Sequence, residues 1–233
     1  MGDNFGMICR SVLSRRRFIG VSSVAAPAVA VTSAAANEPQ VPSPDYSIPG
    51  SGFHGKTQNK RDWQGDPRSG KVVFLSHCML NQNARIVRAA DFPAMFDPLI
   101  DYLQKEQVGA IQMPCPELYC LGLGRRAVRP GLESAAGRRR LERLIDDQIF
   151  TIKEYVFQGF KIVAILGKQG SPSCGVTETW YDDLEKSGPG QGVWIREFKK
   201  RLSAEKLDIP VFGVADHKQD EAIRWLEQRL QQL

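Results

Sequence analysis

The 233-residue chain has 42% hydrophobic and 24% charged residues, a balance typical of a folded globular protein. Its formal net charge of +5 arises mainly near the N-terminus: four of the 31 basic residues and one of the 26 acidic residues lie within residues 1–36, so the remainder is near +2. No basic stripe interleaved with aromatic residues follows, and the composition therefore excludes nucleic acid as the expected partner.

Residues 1–36 predict a twin-arginine signal peptide. Arg15 and Arg16 precede an Ala/Val/Ser-rich stretch that ends at Ala34-Ala35-Ala36, which is the order of charged region, apolar region and cleavage site. Pro27 and several Ser and Thr make this stretch too polar for the roughly 20 apolar residues of a spanning helix. We therefore expect the twin-arginine translocase as a partner during export and a periplasmic or otherwise exported mature protein. Stable membrane insertion is not expected after processing, and an uncleaved signal would tether the protein to the membrane.

Residues 37–70 are predicted to form a linker or extended arm, because five prolines and five glycines interrupt any apolar period. The remaining segment, 71–233, has the size of one domain with a substantial hydrophobic core. The sequence therefore predicts three parts, of which only the last contains a folded domain.

Strands and helices alternate through this domain. Short, continuously apolar runs predict strands at 71–76, 108–113, 161–166 and 209–214. Apolar residues at helical spacing predict helices at 92–107, 135–158, 193–202 and 220–230. Buried strands that alternate with helices indicate a parallel sheet covered on both faces. The predicted fold is a three-layer, Rossmann-like α/β domain with a mainly parallel sheet of about four to five strands.

Three cysteines follow three of the predicted strands. Cys78 comes after the first strand, Cys115 after the second, and Cys174 lies in the turn after the third. Because the carboxyl ends of parallel strands meet at one edge, where ligands bind in open α/β folds, the three thiols are expected to converge. Cys120 is a candidate fourth member, whereas Cys9 belongs to the predicted signal.

Converging thiols allow several kinds of site. A disulfide suits an exported protein but leaves an odd thiol, and zinc could be bound by the thiols together with His77 or His217. An iron–sulfur cluster held by three thiolates would leave one iron open to substrate. A hydrolase with Cys78 as nucleophile is disfavoured, because the adjacent His77 would point to the opposite face of an extended strand.

Four motifs together resemble the bacterial 2-thiouracil desulfurase family over residues 71 to 217. They are Ser76-His77-Cys78-Met79-Leu80-Asn81, Cys115-Pro116-Glu117, Lys168-Gln169-Gly170-Ser171-Pro172-Ser173-Cys174-Gly175 and Gly190-Gln191-Gly192-Val193. The resemblance implies that Cys78, Cys115 and Cys174 hold a [4Fe-4S] cluster whose fourth iron takes sulfur from a thiocarbonyl compound.

This resemblance also implies a reaction. Glu117 would donate a proton or activate water, and Ser171 is the second candidate catalytic residue. The hydroxyl groups of Ser171 and Ser173 could donate hydrogen bonds to the cluster or to the substrate. The expected activity is non-redox cleavage of a C–S bond in a small thioamide-like or thiouracil-like molecule, with release of hydrogen sulfide.

The chain departs from the family pattern at residues 118–126, where a run that includes Cys120 stands in place of the glycine pair and Pro-Arg that family members often have after Cys-Pro-Glu. A thiol there could close the fourth iron, so the alternative function is a non-catalytic exported Fe–S or zinc-binding protein. Weaker site candidates are Asn81 and Lys168, together with His77 and His217, because a lone polar residue at a strand end is more often structural.

Overall fold

The computed structural model describes residues 67–181 and 187–233, which belong to a unit that extends from Lys56 to Leu233. The predicted signal peptide, with Cys9, and residues 37–66 of the predicted linker lie outside the described residues, so these assignments stay predictions. Within the described residues no helix is both long and apolar enough to cross a membrane.

Strands and helices alternate along the chain, as predicted. The helices and strands are β1 (Lys71–Leu75), α1 (His77–Leu80), α2 (Asp97–Lys105), β2 (Gly109–Gln112), α3 (Pro116–Leu121), α4 (Val128–Glu133), α5 (Ala135–Phe157), β3 (Lys161–Lys168), β4 (Glu178–Trp180), β5 (Ser187–Pro189), α6 (Val193–Ala204), β6 (Val211–Val214) and α7 (Gln219–Leu230). A 3-10 turn at Gln82–Ala84 follows α1.

A four-stranded sheet in the order β2-β1-β3-β6 forms the centre of the domain, and all of its pairs are parallel. Strands β4 and β5 form a separate antiparallel pair. The α/β class and the mainly parallel sheet of about four to five strands are therefore confirmed.

Alternate residues of the central strands face two apolar layers. Val72 and Phe74 of β1 pack with α5 and α6, whereas Val73 and Leu75 pack with α2 and α7. Because both faces of β1 are covered, its side chains are all apolar after Lys71, as a parallel sheet between two helical layers requires.

Proline shifted two predicted boundaries. The helix predicted from residue 92 begins at Asp97, because Pro98 suits a first helical turn and Ala94 O accepts the N–H of Gln82 outside the helix. The strand predicted from residue 209 begins at Val211, since Pro210 has no N–H to donate to a neighbouring strand. Helices α1, α3 and α4 and the β4–β5 pair were not predicted from the sequence.

Candidate functional site

The carboxyl ends of β1, β2 and β3 lie together at one edge of the sheet. Ser76 joins two of them, since its N–H donates to Leu166 O (3.0 Å) and its Oγ accepts the N–H of Lys168 (3.2 Å). Met113 N–H donates to Leu75 O (2.8 Å), which fixes the end of β2 beside β1. The three segments that carry the cysteines therefore leave the sheet side by side.

Each cysteine occupies a different local structure at this edge. Cys78 lies in the short helix α1, so it and His77 do not alternate along an extended strand as predicted. Cys115 precedes α3, where its Sγ accepts the N–H of Leu118 (3.4 Å) in place of a capping oxygen. Cys174 lies in the turn after β3. The four cysteines in the described residues are free thiols, so the disulfide alternative is not found there.

The three thiols lie within electrostatic range of one another. Cys115 and Cys174 are each 8% exposed, and Cys78 is half-buried. Burial raises the pKa of all three thiols, that of Cys78 to about 12, and the charge of Cys115 raises the pKa of Cys78 and Cys174 further. Thiolate is the form that binds metal. The three cysteines are therefore expected to stay protonated unless a positively charged metal centre stabilises their thiolate forms.

Glycines allow the backbone to close tightly around Cys174. A Cβ on Gly175 would lie 2.1 Å from Glu178 O, and a Cβ on Gly192 would lie 2.3 Å from the backbone of Ser173. The N–H groups of Val193 and Ile195 donate to Pro172 O (3.0 Å) and Ser173 O (3.2 Å). The start of α6 therefore fixes the turn that presents Cys174.

Glu117 joins the second and third cysteine segments. Its Oε2 accepts a hydrogen bond from Arg125 Nε (2.8 Å), and its Oε1 accepts from Ser171 Oγ (3.1 Å) and Ser173 Oγ (2.7 Å). The Glu117 side chain is 13% exposed. Three donors from two segments fix the orientation of this carboxylate beside the thiols.

Ser171 and Ser173 have different hydrogen-bonding capacity. Ser171 Oγ accepts the N–H groups of Ser173 (3.2 Å) and Cys174 (3.0 Å), which leaves its single proton for an acceptor such as Glu117. Ser173 Oγ lies 3.5 Å from Cys174 Sγ as well as 2.7 Å from Glu117 Oε1. Ser173 therefore connects the carboxylate to a cysteine sulfur.

Cys120 lies in a separate environment. It belongs to α3 and is buried in the apolar layer. It comes five residues after Cys115, a spacing that in a helix turns its side chain away from that of Cys115. Burial raises the pKa of Cys120 and the charge of Arg140 lowers it, whereas the other three thiols make no contribution. The structure does not bring Cys120 into the three-thiol group.

Three of the weaker candidates have structural partners. Asn81 Oδ1 accepts the N–H of Asn83 (3.1 Å) at the start of the 3-10 turn. His77 Nδ1 lies 3.1 Å from Gln112 Nε2, and the pKa of His77 is lowered by partial burial and by the charge of Arg125. His217 is exposed, with Nε2 3.6 Å from Asp91 Oδ1.

Several charged residues at this edge were not predicted from the sequence. Arg125 pairs with Glu117, and Asp216 lies 2.7 Å from Lys168 Nζ and 3.2 Å from Arg85 Nη1. Arg85 and Asp216 are 131 positions apart and neither belongs to a recognisable motif. Asp216 lies two residues after the end of β6, and its position after a parallel strand is the signal that could have indicated it.

The free thiols at this edge are a suitable donor set for the expected iron–sulfur cluster. Three free thiols, with N–H or O–H donors close to two of their sulfur atoms, fit the ligands of an iron–sulfur cluster. In the described part of the chain no group of three or more His, Cys, Asp or Glu side chains is arranged to hold a metal ion. In a [4Fe-4S] cluster each thiolate binds a different iron, so its ligands need not converge on one point. Among these residues the thiols are not arranged with His77 or His217 as the ligands of a zinc ion.

Comparisons with known proteins gave two matches, while no family model matches the chain. An uncharacterized protein of Methanocaldococcus jannaschii is 27% identical over 145 residues, which cover 62% of this chain and 84% of that protein. A solved structure of the [4Fe-4S]-dependent thiouracil desulfidase TudS is similar at 22% identity and a TM-score of 0.46, over 70% of this chain and 99% of that chain. These similarities do not assign the chain to a family.

Proposed function

We propose that this protein is a [4Fe-4S]-dependent desulfurase, which removes sulfur from a thiocarbonyl compound and releases hydrogen sulfide. The observation that carries the proposal is the contact between Glu117 and the turn of Cys174, beside two further free thiols. A site with both metal-binding sulfur and an oriented carboxylate suits hydrolytic chemistry, whereas a purely structural cluster needs no such carboxylate.

The cluster would be held by Cys78, Cys115 and Cys174. Held by three thiolates, it would supply an iron open to a soft sulfur atom, and as a Lewis acid on that sulfur it would make the thiocarbonyl carbon more electrophilic. The N–H of Leu118 and the hydroxyl of Ser173 lie within hydrogen-bonding distance of two of the ligand sulfurs and would orient them.

Glu117 and Ser171 would carry the proton transfers. Glu117 Oε1 accepts hydrogen bonds from the hydroxyl groups of Ser171 and Ser173, which supports a role in which it would take a proton from the attacking water, directly or through Ser171, and return it to the departing sulfur. Water adds its oxygen to the carbon, the C–S bond breaks, and the two protons of that water leave with the sulfur as hydrogen sulfide. The overall change is hydrolysis, which needs no electron donor.

The substrate proposed for this site is a small thioamide-like or thiouracil-like molecule. The twin-arginine motif further supports a proposal of export to the periplasm through the twin-arginine translocase.

Anaerobic reconstitution of the purified protein tests the function. We expect about four irons and four sulfides per chain, and hydrogen sulfide release from thiouracil or a thioamide on addition of substrate. A stoichiometric zinc ion, or a complete cluster without sulfide release from any thiocarbonyl compound, would instead indicate a non-catalytic metal protein.

A further inference from the structure

Lys168 places a buried positive charge at the end of β3. The residue is 7% exposed, and its Nζ lies 2.7 Å from Asp216 Oδ2 and donates to Gln169 O at 2.6 Å. An ammonium group has three N–H donors. Since these are its two partners among the described residues, one donor remains for a ligand.

The backbone places this charge close to Cys78. Lys168 N–H donates to the Oγ of Ser76, two residues before Cys78. Arg85, which shares Asp216 with Lys168, reaches the backbone of Cys78 through Gln82. Two cations therefore lie beside the segment of this thiol and favour negative charge there.

Asp216 is shared between these two cations. Arg85 Nη1 lies 3.2 Å from Asp216 Oδ1 and 2.9 Å from Asp91 Oδ2. Arg85 also donates to Gln82 Oε1 (3.2 Å), and the amide of Gln82 in turn donates to Cys78 O. The ion pairs therefore contact the backbone of Cys78 through Gln82. Asp216 partly neutralises the positive charges of Lys168 and Arg85.

We propose that Lys168 stabilises an anionic sulfur group bound beside Cys78, and that Asp216 limits the strength of this interaction. The inference rests on the proposed function and specifies its substrate class. A thioamide or thiolactam with an N–H next to the thiocarbonyl can lose that proton and carry negative charge on sulfur. An N,N-disubstituted thioamide cannot, so the site should select compounds with an ionisable N–H.

Hydrosulfide, added as sodium sulfide, is a direct probe of this interaction. The experiment is an anaerobic titration of the reconstituted protein, followed by the visible absorbance of the cluster. Lys168→Met should weaken hydrosulfide binding about tenfold, Lys168→Arg should weaken it less, and Asp216→Asn should strengthen it severalfold. Lys153→Met is the matched control, because Lys153 forms an exposed ion pair with Glu205 and should leave the affinity unchanged.

Lys168→Met and Asp216→Asn are expected to change hydrosulfide affinity in opposite directions, which distinguishes an electrostatic role from a structural one. If Lys168→Met and Asp216→Asn both weaken binding, the residues only maintain the fold and the inference is wrong. It is equally wrong if neither changes the affinity. If Lys168→Met does not fold, Lys168→Arg and Asp216→Asn still decide the sign.

A second measurement addresses the substrate class. The wild-type protein should bind a thiolactam at least about tenfold more tightly than its N-methyl derivative, and Lys168→Met should lose that preference. Equal preference in the two proteins would overturn the assignment to Lys168. Failure of the wild-type protein to acquire any cluster would instead contradict the proposed function, so the two failures are distinguishable.

Discussion

Ser173 Oγ lies 2.7 Å from Glu117 Oε1, although 56 positions separate the two residues in sequence. Through this contact the segment after β2 and the turn after β3 form one polar unit at the edge of the sheet. Arg125 completes the unit from the opposite side of the carboxylate. Changes at Glu117 should therefore alter reactivity without separating the cysteines, which are fixed by the strands.

The cysteines differ in their expected response to serine. Cys78→Ser, Cys115→Ser and Cys174→Ser should each lose most of the iron, because a hard hydroxyl oxygen replaces soft thiolate poorly. Cys120→Ser should keep the full iron content, since Cys120 lies in the apolar layer. Iron counting and visible absorbance after anaerobic reconstitution measure the difference, and loss of the cluster in Cys120→Ser alone would contradict the three-ligand site.

Glu117→Gln should keep the cluster and lower turnover by about 10²–10⁴-fold, because an amide cannot accept and return a proton. Ser171→Ala should also lower turnover with little loss of iron. The matched control is Glu142→Gln, an exposed change on α5. Sulfide release per cluster is the relevant measurement, and full activity in Glu117→Gln would remove this residue from the mechanism.

Gly192→Ala should disturb the turn of Cys174. Its methyl group would lie 2.3 Å from the backbone of Ser173. We therefore expect the free energy of unfolding to fall by about 3 kcal/mol or more, and cluster binding to be lost. Gly124→Ala is the control, because a Cβ there meets no atom within 4 Å. Thermal unfolding of both apoproteins, with iron counts after reconstitution, tests the contact.

Stability of the apoprotein should fall at alkaline pH. A thiol whose pKa is raised in the folded state stabilises the fold fully below its unfolded pKa of about 9, and this contribution is lost as pH rises toward the folded pKa, about 12 for Cys78. Cys78→Ser should therefore show a smaller loss between pH 9 and pH 11 when unfolded with urea. A parallel pH dependence in both proteins would show that other groups, such as Tyr102, dominate this range.

Export should depend on Arg15 and Arg16 as a recognised pair and not on their charge. Replacing both with Lys keeps the charge, and we expect the protein to remain in the cytoplasm. Fractionation of cells that express each form measures this. The same replacement at Arg138 and Arg139, on the exposed face of α5, is a charge-matched control.

Much of the fold was predictable because the strongest signals were long and periodic. The helix α5 begins at Ala135 as predicted, and β3 follows from an uninterrupted apolar run. The short helix α3 was missed because it has only six residues, begins at Pro116 and shows little periodicity. Because this helix was not predicted, the five-residue spacing between Cys115 and Cys120 did not show that the two side chains point in different directions.

The candidate site was predictable only in part. The convergence of three thiols followed from strand ends in a parallel sheet, whereas the pairing of Asp216 with Lys168 and Arg85 depends on β6 lying beside β3. Strand order is a tertiary property, and no local pattern near residue 216 encodes it. The partner of Glu117, Arg125, was likewise hidden in an irregular segment between α3 and α4.

The spacing of the three cysteines along the chain also limits when the proposed cluster could be bound. Each thiol lies on a different segment, after β1, β2 and β3, and the glycine-limited turn of Cys174 is complete only when α6 has docked against it. An unfolded chain must close loops of tens of residues to bring these thiols together, and this costs conformational entropy. In the native state the sheet already holds the three segments side by side. Cofactor insertion should therefore be a late event in maturation, and partially synthesised chains that end before residue 193 should be unable to retain iron.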